Sequence, residues 1–392
     1  MNRMLVCVCA VVALLPIVQE HALSIPAFGR KYAMSCQTCH APFPRLKPYG
    51  AEFAGNGFAI ADKDAPRYFM KTGDEDLSLL RELPLAIRFE GYLTYNLLQS
   101  ERMDFSAPYL VKLLSGGALA EHFSYYFYFF LGERGDVAGM EDAFLMINDL
   151  FGAHLDLYLG QFQVSDPLFK RELRLTFEDY RIYTAKPGLS RADLTYDRGI
   201  MLTYGLPTGT DIVLEVLNGT GIGGANSFQI FDEDKYKNLF GRISQEVIPD
   251  RVRMGAFGYW GKEELAGEAG TAMFTNAFRM WGPDLTLNLG DVVELNAQYA
   301  RRIDDKPELL RGRTETKGIV GELILTPEKD QSPWYAVALY NKVDSDMEEL
   351  AYESMTGSLG WLLRRNIRLV GEYTHRLDKK FGQAAVGIVA AF

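Results

Sequence analysis

Apolar and polar residues alternate in short runs along most of the chain, from Pro84 to the C-terminus, and each run ends at turn residues. In 293–299 the odd positions are apolar and the even positions are polar, and 367–373 shows a similar alternation. A period of two residues indicates β-strands with one apolar face. The pattern therefore predicts that residues 84–392 form an all-β unit.

Runs of this kind predict sixteen strands. They lie near 85–98, 108–117, 122–132, 140–148, 153–163, 197–206, 210–218, 236–247, 251–261, 271–288, 291–302, 314–326, 333–343, 350–364, 366–377 and 381–392. An even strand number is typical of single-chain bacterial outer-membrane barrels. The expected fold is therefore mainly β, an antiparallel outer-membrane β-barrel of about 16 strands.

A soluble β-sandwich is the competing architecture, and three features favour the barrel. The runs are ~10 residues long, as a tilted membrane crossing requires. Aromatic residues crowd them, as in 123–129, and such residues form girdles at membrane interfaces. The last run ends on Phe392, and a terminal aromatic residue resembles the recognition signal of bacterial outer-membrane barrels.

Composition narrows the class of protein further. Hydrophobic residues make up 48% of the chain, which excludes a disordered protein. No apolar run after residue 24 reaches about 18 residues, so a membrane-spanning helix is excluded. The net charge of −10 argues against nucleic acid as a partner. The longest connection, near 164–196, either folds into the pore as a constriction or caps it.

Residues 1–24 predict a secretory signal peptide. A basic residue precedes an apolar run over 4–18, and small residues follow it, so we expect cleavage after Ser24. The alternative is an N-terminal membrane anchor, for which the run is short. Cleavage would leave two cysteines in the mature chain, Cys36 and Cys39. The expected location is the bacterial outer membrane.

The two cysteines belong to the sequence Cys36-Gln37-Thr38-Cys39-His40, the attachment motif of c-type haem. Two intervening residues space the thiols for the two vinyl groups of the porphyrin, and His40 is then the proximal iron ligand. A disulfide, half of a zinc site and a thioredoxin-like pair are the alternatives. Zinc needs two further ligands nearby, and the thioredoxin-like pair needs a βαβ context. Neither requirement is met, so the sequence predicts one covalent haem c.

The distal ligand of the haem iron is less well defined by the sequence. Met34 lies too close to Cys36 to reach the opposite face of the ring. Met70 follows His40 by thirty residues, a workable loop in a small cytochrome, and it is the candidate distal ligand. A barrel residue or an open coordination position are the alternatives, and Met70 could equally be an ordinary apolar side chain in a linker.

Residues on both sides of the motif extend it into a longer pattern. They are Pro26, Phe28 and Arg30 before it, and Phe43, Pro44, Leu46, Gly50, Phe53, Gly57 and Phe58 after it. This pattern, over 25–60, resembles the fused monohaem cytochrome–porin family of outer-membrane iron oxidases. The resemblance implies ferrous iron as the electron donor.

Residues 25–75 are the predicted monohaem cytochrome segment, and 84–392 the predicted porin-like barrel. About fifty residues bury a haem poorly by themselves, and a sixteen-stranded barrel leaves a channel unless something fills it. These two arguments favour a cytochrome that plugs the lumen. The alternative is a cytochrome that hangs in the periplasm from a linker over 71–82.

A haem inside an outer-membrane barrel predicts electron transfer across that membrane. The expected partners are an extracellular donor such as Fe(II), a periplasmic electron-carrier cytochrome, and outer-membrane lipid. The alternatives are a diffusion porin whose haem segment gates or stabilises the lumen, and a conduit that carries electrons outward. The chain would be an Fe(II):cytochrome c oxidoreductase only in the first case.

Acidic residues at the expected outer mouth would concentrate divalent cations there. They are Asp232, Glu233, Asp234, Glu263, Glu264, Asp304, Asp305, Asp344, Asp346, Glu348 and Glu349. A second set is expected to face the lumen, namely Asp156, Glu215, Glu294, Glu322 and Glu372. Solubility of surface loops is the competing explanation for the first set.

Overall fold

The computed structural model describes residues 27–60, 70, 73, 80–81, 83–97, 102–137, 139–267 and 273–392. The predicted signal peptide, 1–24, lies outside these residues. In the described part of the chain, no helix is long and apolar enough to cross a membrane.

Sixteen antiparallel strands form one closed barrel in which every strand pairs with its sequence neighbours and β1 pairs with β16. The strands are β1 (Leu85–Asn96), β2 (Arg102–Ala120), β3 (Phe123–Glu133), β4 (Gly139–Ile147), β5 (Leu155–Gln163), β6 (Tyr196–Gly205), β7 (Thr210–Leu217), β8 (Asn238–Ile248), β9 (Val252–Ala266), β10 (Met273–Leu289), β11 (Val293–Asp304), β12 (Thr314–Leu325), β13 (Trp334–Ser345), β14 (Tyr352–Arg364), β15 (Ile367–Arg376) and β16 (Phe381–Ala391). The predicted class and strand number are confirmed.

The largest difference from the predicted strands is in β2, which begins at Arg102 and not near 108. Pro108 lies inside this strand, where the pairing of β1 with β2 shifts register. A proline lacks an N–H group, and a bulge is one of the few places in a sheet that does not need it. The predicted strand start at Pro108 was therefore wrong, because this proline occupies a bulge.

The barrel closes between its first and last strands. Ile87 of β1 and the terminal residue Phe392 exchange two backbone hydrogen bonds of 2.7 and 2.8 Å. On β16, Val386 and Ile388 are exposed on the outer face together with Phe392, whereas Val389 points inward and is fully buried. The last strand therefore carries the predicted apolar outer row that ends on an aromatic residue.

Exposed apolar side chains and buried charged ones occur side by side on the strands of this barrel. On β7, Leu214 and Val216 are 55% and 44% exposed, whereas Glu215 between them is 1% exposed. Apolar Leu214 and Val216 thus face outward and charged Glu215 faces inward, the arrangement expected when lipid surrounds the wall. The residues predicted to face the lumen are Asp156, Glu215, Glu294, Glu322 and Glu372. Their contacts are described below.

The two ends of the barrel differ in the connections they carry. One end has mostly short connections, such as 121–122, 249–251 and 365–366, and it is called the short-turn end below. The other end has longer connections, including 164–195 and 218–237, and it is called the long-loop end. In outer-membrane barrels the short turns face the periplasm and the longer loops face outward.

The connection between β5 and β6, residues 164–195, lies inside the barrel and is called the inner loop below. Its two 3₁₀ turns are Arg171–Leu173 and Arg181–Thr184. Glu372 of β15 accepts hydrogen bonds from the N–H groups of Phe177 and Glu178 at 2.7 and 2.8 Å. Further along the loop, Arg302 of β11 donates to the carbonyl of Ala192 at 2.6 Å. The loop therefore enters the pore and does not cap it. This confirms the first of the two predicted alternatives.

Among the described residues before the barrel there are three short helices, namely α1 (Ala27–Tyr32), α2 (Cys36–Cys39) and α3 (Pro48–Gly55). Pro48 occupies the first turn of α3, where a helix has no use for the missing N–H group. Residues 27–60, called the plug below, lie at the short-turn end and contact inward-facing side chains of the wall, as the next section describes.

Candidate functional site

The Cys-x-x-Cys-His motif forms one tight helical turn. Ser35 precedes α2, and its hydroxyl accepts a hydrogen bond from the N–H of Gln37 at 3.4 Å. The N–H of His40 closes the turn on the carbonyl of Cys36 at 2.8 Å. The sulfurs of Cys36 and Cys39 are not joined in a disulfide. Burial raises the pKa of both thiols above the ordinary range.

The ring of His40 is oriented by two backbone carbonyls. Its Nδ1 lies 2.8 Å from the carbonyl oxygen of Pro44 and 3.2 Å from that of Arg45. Both neighbours can only accept, so Nδ1 carries the proton and donates it. Burial lowers the pKa of His40 and keeps the ring neutral at pH 7. The lone pair is therefore on Nε2, the tautomer that a metal-ligating histidine needs.

Helix α3 packs directly against the motif turn, and Gly50 makes this approach possible. A Cβ atom at Gly50 would lie 2.4 Å from the carbonyl oxygen of Cys39. The N–H of Lys47, just before α3, donates to the same carbonyl at 2.8 Å. The glycine of the sequence pattern therefore marks a backbone contact that supports the Cys39 end of the turn.

Aromatic rings fasten the plug to the inner wall. Phe28 and Phe58 stack with their ring centres 5.0 Å apart, and Phe58 stacks in turn on Tyr126 of β3 at 5.1 Å. Phe53 and Phe58 share a buried apolar cluster with Met146 of β4. The aromatic run 123–129 was expected to serve lipid and interfacial girdles, but Tyr126 points inward, because strand alternation sends every second residue into the lumen.

Polar contacts join the plug to opposite sides of the barrel. Arg45 forms an ion pair with Glu294 of β11, and Lys47 forms one with Asp330 in the β12–β13 turn. On the other side, the amide of Asn148 donates to the carbonyl of Gly55 at 2.8 Å. Contacts with β3, β4 and β11 place the plug across the mouth of the barrel at the short-turn end.

Gly57 allows a close approach of the plug to the wall. Its φ of +66° lies in the left-handed region that favours glycine. A Cβ atom there would lie 2.4 Å from the hydroxyl oxygen of Ser124 and 2.7 Å from the amide oxygen of Asn148. The second glycine of the sequence pattern is thus required by the contact between plug and wall.

A shallow cleft lies beside the motif turn, with a volume of only about 10 Å³. Cys36 and His40 line it from the plug, together with Pro42 and Phe43, and Leu362 and Arg365 line it from the barrel. Apolar walls suit the faces of a porphyrin, and a cation suits its carboxylate edge. The two free thiols and the neutral imidazole fit the attachment of a covalent haem, whose ring would lie largely outside so small a cleft.

Met70 has a described position, and its side chain is 46% exposed. Residues 61–69, which connect it to the plug, lie outside the described part of the chain. Its role as distal ligand stays a prediction.

Two residues expected at an acidic outer mouth are buried inside the barrel. Glu263 of β9 accepts hydrogen bonds from the hydroxyl of Ser190 at 2.6 Å and the N–H of Arg191 at 2.7 Å, both in the inner loop. Asp304 of β11 pairs with Arg302 at 2.8 Å. These two carboxylates are therefore not free to attract cations at the mouth, and that part of the prediction was wrong. The predicted strands end at residues 261 and 302, which leaves both acids in loops, whereas the observed strands continue to Ala266 and Asp304.

Other lumen-facing acids contact the inner loop or a turn of the wall. Glu322 of β12 accepts a hydrogen bond from the hydroxyl of Tyr180 at 2.9 Å, and Asp156 of β5 contacts Asn148 at 3.4 Å. Glu294 and Glu372 hold the plug and the inner loop, as described above. The inward orientation of these carboxylates is confirmed. Glu294, Glu322 and Glu372 hold a neighbouring segment, whereas Glu215 has no hydrogen-bond partner among the described residues.

Charged side chains also join the inner loop to the barrel on the side of β2. Glu172 forms an ion pair with Lys112 of β2. Burial alone would raise the pKa of Glu172, but Lys112 and Arg174 lower it to about 2. Burial would likewise raise the pKa of Asp179, which Arg174 holds well below its usual range. The loop therefore carries ionised carboxylates into the lumen at neutral pH.

Comparison with known proteins finds relatives by structure only. No family model matches the chain, and no characterised protein matches it by sequence. An anion-selective porin from Comamonas acidovorans is similar, with 13% identity, a TM-score of 0.55, and coverage of 79% of this chain and 99% of the porin. The outer-membrane channel DcaP of Acinetobacter baumannii has 14% identity, a TM-score of 0.54, and coverage of 79% and 97%.

A third similar structure is OmpF of Salmonella typhi in complex with daunomycin, with 12% identity, a TM-score of 0.54, and coverage of 79% and 97%. At these identities the likeness establishes the fold. The chain has the closed antiparallel barrel of outer-membrane porins, with sixteen strands.

Proposed function

We propose that this chain lies in the bacterial outer membrane and transfers electrons across it through one covalent c-type haem held by Cys36 and Cys39. His40 is the proximal ligand, and Met70 is the candidate distal ligand. The electrons come from an extracellular donor such as Fe(II), each ion giving one electron and leaving as Fe(III). A periplasmic electron-carrier cytochrome accepts them.

The orientation of His40 is the single observation that carries this proposal. An Nδ1–H bonded to the Pro44 carbonyl leaves the neutral Nε2 available directly after a Cys-x-x-Cys turn with free thiols. A disulfide or a thioredoxin-like pair has no need for such an oriented imidazole. When bound, the haem supplies a one-electron carrier whose potential the axial ligands and the surrounding dielectric set.

The place of the motif determines how a donor would reach it. The plug lies at the short-turn end, which faces the periplasm in barrels of this class. An apolar band about 25 Å tall separates this end from the outer surface. A donor such as hydrated Fe(II) would therefore enter the lumen and pass the inner loop, while the periplasmic acceptor would dock directly at the mouth beside Cys36.

Purified protein in vesicles tests the proposal. Oxidised soluble cytochrome c is enclosed, Fe(II) is added outside, and optical spectra follow both haem signals. We expect covalent haem in the wild type, its reduction by Fe(II), and then reduction of the enclosed cytochrome. The double variant Cys36→Ala/Cys39→Ala should lose all three signals, whereas Thr38→Ser, inside the same motif, should retain them.

The outcomes separate the alternatives. Absence of covalent haem in the wild type ends the electron-transfer proposal. Covalent haem that Fe(II) does not reduce, but that a low-potential donor inside the vesicle reduces, favours an outward conduit. A near-infrared sulfur-to-iron band that Met70→Ala removes supports Met70 as distal ligand, and a spectrum unchanged by this substitution excludes it.

A diffusion porin is the second candidate function, and the inner loop favours it. A charged loop inside a sixteen-stranded barrel is a plausible selectivity element for small solutes, because fixed charges act strongly in a narrow lumen. Single-channel recording in a planar bilayer tests this candidate. Steady conductance that the Cys36→Ala/Cys39→Ala variant leaves unchanged, with no transfer of electrons in the vesicle assay, favours the porin.

A further inference from the structure

A groove of about 410 Å³ lies at the long-loop end of the barrel. Six of the residues that line it are Tyr236, Lys237, Trp260, Lys262, Arg279 and Asp305. None of them belongs to the plug or the inner loop. The groove is thus separate from the candidate haem site.

The groove opens on the lipid-facing side of the wall. Trp260 of β9 pairs with Leu239 of β8 and with Arg279 of β10 across adjacent strands. Their sequence neighbours Tyr259 and Met280 are buried in the core inside the barrel. Because side chains alternate along a strand, Leu239, Trp260 and Arg279 face outward together. Trp260 is 52% exposed there.

The height of the groove is that of the outer membrane interface. Leu239 is the second residue of β8, and Arg279 pairs with Ile303, the second-last residue of β11. These strand ends carry the longer loops, which face outward. A tryptophan and a tyrosine at this level are typical of the aromatic belt, whose rings lie among lipid headgroups.

Cations dominate the groove. Lys237 is paired with Asp232. Within the residues that the structure describes, Lys262 and Arg279 take part in no ion pair, and the ammonium of Lys262 lies 5.7 Å from the ring centre of Tyr236. Asp305 supplies one opposing carboxylate. A cation on the lipid-facing wall is unfavourable unless an anion of the headgroup region meets it.

We propose that this groove binds the phosphate-bearing headgroup of a glycolipid in the outer leaflet. The planar guanidinium of Arg279 can bind two phosphate oxygens, the ammonium of Lys262 supplies a compact charge beside them, and Trp260 packs against the sugar or the first carbons of the acyl chains. This inference is independent of the haem.

Native mass spectrometry of the detergent-purified full chain tests the proposal. The probes are lipid A with two phosphates, the same lipid after enzymatic dephosphorylation, and inorganic phosphate. We expect the wild type to retain the phosphorylated lipid in preference to the dephosphorylated one. The double variant Lys262→Gln/Arg279→Gln should bind the phosphorylated lipid about tenfold more weakly, because two charge-assisted contacts are lost.

The matched control is Arg251→Gln/Arg253→Gln, which removes the same charge from the opposite end of the β8–β9 hairpin and should bind as the wild type does. Equal retention by the two double variants, or equal retention of both lipids by the wild type, overturns the proposal. Displacement of the lipid by millimolar inorganic phosphate would assign the groove to free phosphate and also overturn it. Heat-modifiable mobility of each variant verifies that its barrel has formed.

Discussion

Arg45 in the plug and Glu294 on strand β11 form an ion pair between residues that are 249 positions apart in the chain. Both side chains are about three-quarters buried, with 22% and 25% exposure. The pair joins the segment that carries Cys36, Cys39 and His40 to the wall of the barrel. Breaking this pair therefore tests how much it contributes to holding the plug in the barrel.

We expect Arg45→Gln to loosen the plug by roughly 1–2 kcal/mol, because it leaves Glu294 without its partner in a partly buried site. Hydrogen exchange of the amides in 27–60 should become about tenfold faster. The exposed pair Arg253–Asp211 supplies the control, and Arg253→Gln should change exchange by less than twofold. Unchanged protection of the plug in Arg45→Gln would show that its aromatic contacts alone hold it.

Two glycines of α3 give a matched pair of substitutions. Gly50→Ala should destabilise the plug by roughly 1–3 kcal/mol, because the added carbon would lie 2.4 Å from the Cys39 carbonyl oxygen. Gly55→Ala, at the end of the same helix, meets nothing within 4 Å and should be neutral or slightly stabilising. The yield of covalent haem per barrel is the measurement. Equal yields in the two variants would contradict the packing of α3 on the motif turn.

Acid should weaken the attachment of the inner loop through Glu172. The pKa of this carboxyl is lowered to about 2 in the folded chain. A lowered pKa contributes stability above the ordinary value of about 4.5, and the contribution falls as the pH drops towards 2. Heat-induced unfolding should therefore shift to lower temperature between pH 6 and pH 3.

Glu172→Gln should remove part of this pH dependence, whereas Glu52→Gln, at an exposed position in α3, should leave it unchanged. The measurement is the temperature at which the folded band disappears in heat-modifiable electrophoresis. If the unfolding temperature of Glu172→Gln shifts as much as that of the wild type, other carboxylates cause the acid sensitivity.

The terminal residue should matter for assembly of the barrel. Phe392 is exposed on the outer face and exchanges two backbone hydrogen bonds with Ile87, where the barrel closes. Phe392→Asp places a charge on the lipid-facing row near the interface and should reduce the folded fraction in the outer membrane severalfold. Phe392→Trp keeps an interfacial aromatic ring and should assemble normally. A normal yield of Phe392→Asp would show that assembly of the barrel does not require the terminal aromatic residue.

The barrel was predictable because its information is local. Alternation with a period of two reports which face of a strand meets lipid, as Leu214, Glu215 and Val216 illustrate, and each run could be recognised without reference to its partners. Strand ends were predicted less well where the local signal misleads. Pro108 looks like the start of β2 but occupies a bulge, and Glu263 looks like a loop residue but lies in a strand that continues to Ala266.

The candidate site could be proposed from the sequence, because Cys36–His40 is contiguous, and its haem stays a prediction. The contacts that hold this turn could not be predicted from the sequence. Periodicity indicates that Glu294 faces inward, but it cannot distinguish a carboxylate in water from one bound to Arg45. That choice depends on which residues the closed barrel brings to the same height, and this follows from strand stagger and closure.

The period-two strands, their outward apolar rows and the Cys36–His40 motif can be recognised from neighbouring residues alone. Tertiary structure was needed to show that residues 27–60 lie across the short-turn mouth, that the inner loop enters the lumen, and that Tyr126 supports Phe58 and does not face lipid. The physical reason is that a closed barrel has one interior. Whatever fills it is selected by shape and charge from distant parts of the chain, which no local pattern encodes.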